Sequence, residues 1–185
     1  MLTFNDVNRD LKIILDGISD TSREVPSTMK AMRGALILPL LGILFSTVTF
    51  GFVCAQINHR DVSVNLFIDY IFSGGAIPVY MSVVVGFAQW MMLLPYITLY
   101  YSIPHSIRAE NPLVSHVKRA FLKGGILYGA VLLLTCVMSF HNEIYLFSTP
   151  IVMFVAIFVA TITINLQVTK YGVGSLIGKL KKVLS

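Results

Sequence analysis

Charge is what this sequence lacks most. Only 12% of its 185 residues are Asp, Glu, Lys or Arg, while 56% are hydrophobic. A soluble domain carries about a quarter charged residues, so this supply is too thin to cover a surface facing water. Lipid must be the solvent for most of the chain. Cysteine is scarce as well: Cys54 and Cys136 stand apart, without the spacing of a zinc or redox centre. The first 33 residues mix both signs of charge and hold no apolar core, which excludes a secretory signal. The net charge of +5 comes from a few crowded segments and does not argue for nucleic acid as a direct partner.

Charged residues and histidine are missing from Gly34–Asn58, Tyr70–Pro104, Gly124–Phe140 and Ile144–Thr169. A helix of about 20 apolar residues crosses the hydrocarbon of a bilayer. The second stretch is too long for one span, and the pattern predicts its helix over Ile77–Tyr101. The third is short. Ala120–Leu122 extend it while Lys123 snorkels to the headgroups. The predicted fold class is an all-α membrane protein with four transmembrane helices. Its parts are a cytoplasmic helix and connector (1–33), a membrane domain (34–169) and a basic amphipathic tail (170–185).

All but Arg60 of the 14 lysines and arginines lie before the first span, between spans two and three, or in the tail. The positive-inside rule therefore predicts that both termini and the middle link are cytoplasmic. The turn "SFHNEIYLF" at 139–147 has neither lysine nor arginine and is expected outside. Its brevity makes spans three and four an antiparallel hairpin.

The flanking segments are amphipathic. Over residues 3–18, Phe4, Val7, Leu11, Ile14 and Ile18 repeat at helical spacing, with Thr3 and Asp6 placed as a capping box. Asp6, Asp10 and Asp16 outnumber Arg9 and Lys12 there. Such a helix is repelled by an anionic leaflet, so its stripe is expected on protein: the chain's own middle link or a partner helix. Within 60–76, Val64, Phe67, Ile68, Ile71 and Phe72 share a helical face that Asp61, Asn65 and Asp69 avoid. An interfacial helix halted at Gly74–Gly75 fits, and so does a strand through Val62, Val64, Leu66 and Ile68. In the tail, Lys179, Lys181 and Lys182 flank an apolar stripe suited to anionic membrane lipid.

No ionisable residue interrupts a span, which argues against a proton path or a membrane-embedded protease. The expectation is a non-enzyme without metal or cofactor. Gln89 is the most central polar residue and is expected to form an interhelical hydrogen bond. Gly125 and Gly129 form G-x-x-x-G, a close-packing motif for the monomer or, alternatively, for a homodimer. Pro95 predicts a kink in span two. Cys54 and Cys136 should both lie just below the outer surface, either disulfide-paired or as unpaired small hydrophobes. The outer turns collect His59, Arg60, Asp61, Asp69, His141, Asn142 and Glu143, a small, net acidic candidate surface for a protein partner. The same histidines and acids could gather a metal, although their spacing matches no ligand pattern.

In layout the chain resembles two groups of bacterial self-protection proteins: surface exclusion proteins of F-type conjugative plasmids, and four-span immunity proteins against pore-forming colicins. The likeness to the exclusion group is closer. It rests on the amphipathic head, on "EVPSTMKAMRG" before the first span and on the terminal "KLKKVLS". It spans the whole chain in outline and carries no motif, so no functional residue is transferred. It implies a bacterial inner-membrane protein that blocks redundant conjugative transfer by recognising an incoming donor component. Two other classes stay open. One is a small channel or transporter subunit with Gln89, Thr98, Thr161, Thr163 and Asn165 along a polar path; the other is an accessory subunit of a membrane complex.

Overall fold

A computed structural model describes residues 4–20 and 27–170, without the side chains of residues 4, 164, 165 and 167–170. Seven α-helices and one 3-10 helix make up the described chain. They are α1 (Phe4–Ser19), α2 (Thr28–Ile57), α3 (Val64–Phe72), α4 (Ile77–Ser102), α5 (His105–Glu110), α6 (Pro112–Ser139), the 3-10 helix (Glu143–Phe147) and α7 (Ser148–Lys170). Four helical segments are long and apolar enough to cross a membrane: α2, α4, α6 and the stretch Glu143–Thr163. Each is apolar on its outward face too, with Leu44, Val84, Leu127 and Phe158 exposed. Helices apolar all round are stable only in lipid or in a large core.

The second span begins and ends within a residue of the predicted helix. The third does not: α6 starts at Pro112 rather than near Ala120. Asn111 caps it, its Oδ1 accepting from Leu113 N at 3.0 Å and Val114 N at 3.2 Å, and Pro112 sits in the first turn, where its missing N–H costs nothing. Nothing breaks the helix between there and Gly124. Lys118, Arg119 and Lys123 therefore ride exposed on a continuous rod; hydrocarbon thickness limits the apolar run, not the helix.

The helical alternative holds for 60–76. Ser63 Oγ caps α3 by accepting from Leu66 N at 3.2 Å, and the helix stops at Gly74, whose φ is +79°. Its apolar face is split, however. Leu66 is buried and Phe67, Tyr70 and Ile71 pack on the bundle, whereas Val64, Ile68 and Phe72 are exposed. A nine-residue helix turns through two and a half turns, so five apolar positions can serve both a protein and a lipid neighbour.

Helix α2 is the hub. It packs most extensively on α4 and also touches α6 and α7, while α4 meets α7 and α7 meets α6. The inner core is Tyr128, Leu132 and Met153, flanked by Leu38, Leu41, Ile43 and Val85. Toward the end carrying α3, a second cluster joins Phe50, Val53, Cys54, Ala76, Val79 and Leu146. Phe50 meets the rings of Phe67 and Tyr70 edge-on, with centroids 6.2 and 5.8 Å away. At the opposite, basic end, α1 lies against α5 and the start of α6.

The tight helix contacts are not at the G-x-x-x-G motif. A Cβ on Gly125 or Gly129 would meet only Leu38 or Leu41 of α2, at 3.7 and 3.9 Å. These glycines face α2 within the monomer at ordinary contact distance. The close approaches among the four long helices are at Gly42, where a Cβ would lie 2.7 Å from both Met153 Sδ and the Tyr128 hydroxyl, and at Gly86, where it would lie 2.8 Å from Ile43 Cδ1. Pro39, one turn before Gly42, is fully buried inside α2. Pro95 lies inside α4 on an exposed face.

Candidate functional site: the cleft between the two turns

At the end opposite α1, α2 and α6 finish side by side. Between their ends lies a cleft of about 410 Å³, lined by Val53, Gln56, Ile57, His59, Ser139, Phe140, His141, Asn142 and Glu143. It is an open depression rather than an enclosed cavity. The lining mixes apolar Val53, Ile57 and Phe140 with polar Gln56 and Ser139, and adds two imidazoles and a carboxylate. Both turns contribute to it, although His59 and His141 are far apart in sequence.

Backbone geometry aims His59. Helix α2 closes with Arg60 N donating to Ala55 O at 3.0 Å and His59 N donating to Gln56 O at 3.2 Å. This is the Schellman ending, which needs a left-handed residue at the position His59 occupies, and its φ is +49°. Helix α3 ends the same way: Gly75 N reaches Tyr70 O at 3.0 Å, Gly74 N reaches Ile71 O at 3.2 Å, and glycine fills the left-handed position. A non-glycine residue there costs about 1–2 kcal/mol. Such outliers concentrate at functional sites.

The rest of the rim is fixed by local bonds. Asn58 Nδ2 donates to Cys54 O at 2.7 Å and to the Tyr70 hydroxyl at 2.6 Å, tying the α2 end to α3. His141 Nδ1 lies 3.3 Å from Val137 O. Asn142 Oδ1 accepts from Ile144 N at 3.0 Å, capping the 3-10 helix, so the candidate Asn142 is already engaged in holding its own turn. Glu143 opens that helix, where its charge suits the positive N-terminal end.

Four of the seven outer candidates thus converge: His59, His141, Asn142 and Glu143. Arg60, Asp61 and Asp69 are exposed but lie outside the cleft lining. Asp69 sits on α3, away from the α2–α6 groove. Among the described residues, no three His, Cys, Asp or Glu are placed to hold a metal ion. Gln56, Ile57 and Phe140 escaped sequence reasoning, since they read as the ends of spans.

The remaining candidates are placed as follows. Val7 and Leu11 are buried against Leu113, with Ile14 beside them, and Ile18 is half-buried. The chain's own α6 therefore covers the core of the stripe offered to a partner, as the amphipathic pattern allowed. The Phe4 side chain and Thr3 lie outside the described residues, as do Lys179, Lys181 and Lys182. Gln89 of α4 is buried and its side chain lies within hydrogen-bonding reach of the Tyr128 hydroxyl of α6, while Gln89 Oε1 and that hydroxyl fall short of full hydrogen-bond geometry. Tyr128 is thus the interhelical partner that this position offers Gln89. Serines make a buried α2–α4 link as well: Ser82 Oγ donates to Ser46 Oγ at 2.8 Å.

The residues suggested for a polar path do not share one face. Gln89 is buried, Thr98 and Thr163 are exposed, and the Thr98 and Thr161 hydroxyls donate to the Leu94 and Ile157 carbonyls of their own helices. Asn165's side chain lies outside the described set. Cys54 and Cys136 are both buried and free. The Cys136 thiol faces Phe45 O at 4.0 Å, nine residues below Cys54 on α2, about 13 Å of helix rise.

No protein-family model, curated protein or solved structure matches this chain.

Proposed function

We propose that the chain is a non-catalytic, multi-pass inner-membrane protein that recognises a protein partner through the cleft between its two outer turns. In this reading the basic end, both termini and α1 are cytoplasmic, and the cleft faces outward. The single observation that carries the reading is His59. A left-handed histidine at a helix end whose counterpart uses glycine places an imidazole on the rim beside His141 and Glu143. Taken with the layout resemblance, the partner is a component of an incoming donor cell and the outcome is exclusion of redundant conjugative transfer.

The test uses recipient cells carrying the chain or an empty vector. Transfer of the cognate F-type plasmid should fall, while transfer of an unrelated plasmid stays unchanged. Replacing His59, His141 and Glu143 together by alanine should restore cognate transfer with the protein still present in the membrane. Equal cognate transfer in both strains, with the protein confirmed in the membrane, refutes exclusion.

A further inference from the structure

The basic end carries a feature that recognition at the cleft does not use. Arg108, on α5, lies under the last turn of α4, and its Cζ stands 5.2 Å from the ring centroids of both Tyr100 and Tyr101. The two rings meet edge to face, 5.6 Å apart at 73°. Tyr101 is itself seated on α2, with Cε2 3.5 Å from the place a Gly34 Cβ would take. The guanidinium therefore sits in the corner formed by two rings of α4, one of which also packs on α2. Its Nε is buried and has no acceptor. Among the described residues the ion pairs are those of Arg9 with Asp6 and Asp10; no carboxylate answers Arg108.

Contact with two rings restricts a flexible arginine, and rings that stand edge to face cover only part of its guanidinium. Arg108 is half-buried and its Nη groups are not among the buried unpaired atoms, so they are open to an acceptor from outside, and the planar fork of arginine matches a phosphate. The place agrees. Tyrosines at the end of a span mark headgroup depth, and basic pockets between membrane helices hold anionic headgroups. Lys30 and Arg33 are exposed on the first turns of α2, adding positive charge around Gly34.

We propose that Arg108, held against Tyr100 and Tyr101, binds the phosphate of an anionic phospholipid headgroup. The site is separate from the tail lysines Lys179, Lys181 and Lys182 and requires only that the bundle sits in a bilayer. The experiment uses the full chain purified in neutral detergent. It is titrated with dioleoylphosphatidylglycerol, dioleoylphosphatidylcholine or inorganic phosphate, and bound lipid is counted by native mass spectrometry.

Phosphatidylglycerol should be retained and the other two should not. R108Q should weaken that retention at least tenfold and R108K several-fold, because an ammonium keeps the charge but loses the fork. A variant with all three tail lysines changed to glutamine should keep the Arg108-dependent retention. Equal phosphatidylglycerol binding by the chain and its R108K and R108Q variants overturns the proposal. So does phosphatidylcholine binding as tight as phosphatidylglycerol. Inorganic phosphate competing as well as the lipid would also overturn it, by making this a free-anion site.

Discussion

Gly42 offers the sharpest test of how the bundle is held together. A methyl group there would lie 2.7 Å from Met153 Sδ, 2.7 Å from the Tyr128 hydroxyl and 2.8 Å from Met153 Cε. Each must recede by about 0.7 Å or more to reach ordinary contact, in a core where Met153 is fully buried. Overpacking of this kind costs about 1–3 kcal/mol. Alanine also favours a helix over glycine by about 1 kcal/mol, which would mask part of the loss.

Gly125→Ala removes that ambiguity. It makes the same exchange inside another long helix, where the nearest atom is Leu38 Cδ2 at 3.7 Å. The propensity gain is common to both variants, so their difference reports the steric cost alone. G42A should be less stable than G125A by about 2 kcal/mol, a melting difference of roughly 4–8 °C for a chain of this size. Fluorescence of the single tryptophan, Trp90, follows unfolding in detergent. Adding M153A to G42A should cost less than the two separate losses combined, because two of the three crowded atoms are gone. Equal melting of G42A and G125A, or a lower value for G125A, would refute the argument.

Two further outcomes follow from the helix ends. H59G relieves the left-handed histidine and should raise stability by up to about 1 kcal/mol, measured by the same melting. If His59 belongs to the recognition surface, H59G should also impair exclusion in the transfer assay; a stable variant with full exclusion would remove His59 from the site. N111A deletes the α6 cap and the bond from Asn111 Nδ2 to Asp10 O at 3.4 Å. It should cost about 1–2 kcal/mol and speed amide exchange in α1 more than in α4, and uniform protection of α1 in the variant would contradict it.

Much of the architecture was legible along the chain. The absence of charge marked the spans, and Gly74–Gly75 before Ile77 set the start of α4 to the residue. The stripe through Val7, Leu11 and Ile14 announced a docked amphipathic helix, and the short turn at 139–147 announced adjacent antiparallel spans. These are properties of neighbours in sequence: apolar length, helical period, and residues that start or stop a helix. They survive whatever the helices later do to one another.

What the helices do to one another was decided elsewhere. Gly125 and Gly129 carry the motif, yet Gly42 and Gly86 make the tight contacts, because crossing points depend on which side chains of other helices arrive there. His59 lines the cleft with His141 and Glu143, while Arg60 and Asp61, one and two residues on, lie outside its lining, because a left-handed turn redirects the chain at His59. Leu113 covers Val7 and Leu11 because α6 begins eight residues earlier than its apolar run required. Sequence determined the elements and the solvent that each could tolerate. Only tertiary structure determined the distances between them, because those are set jointly by side chains far apart in the chain.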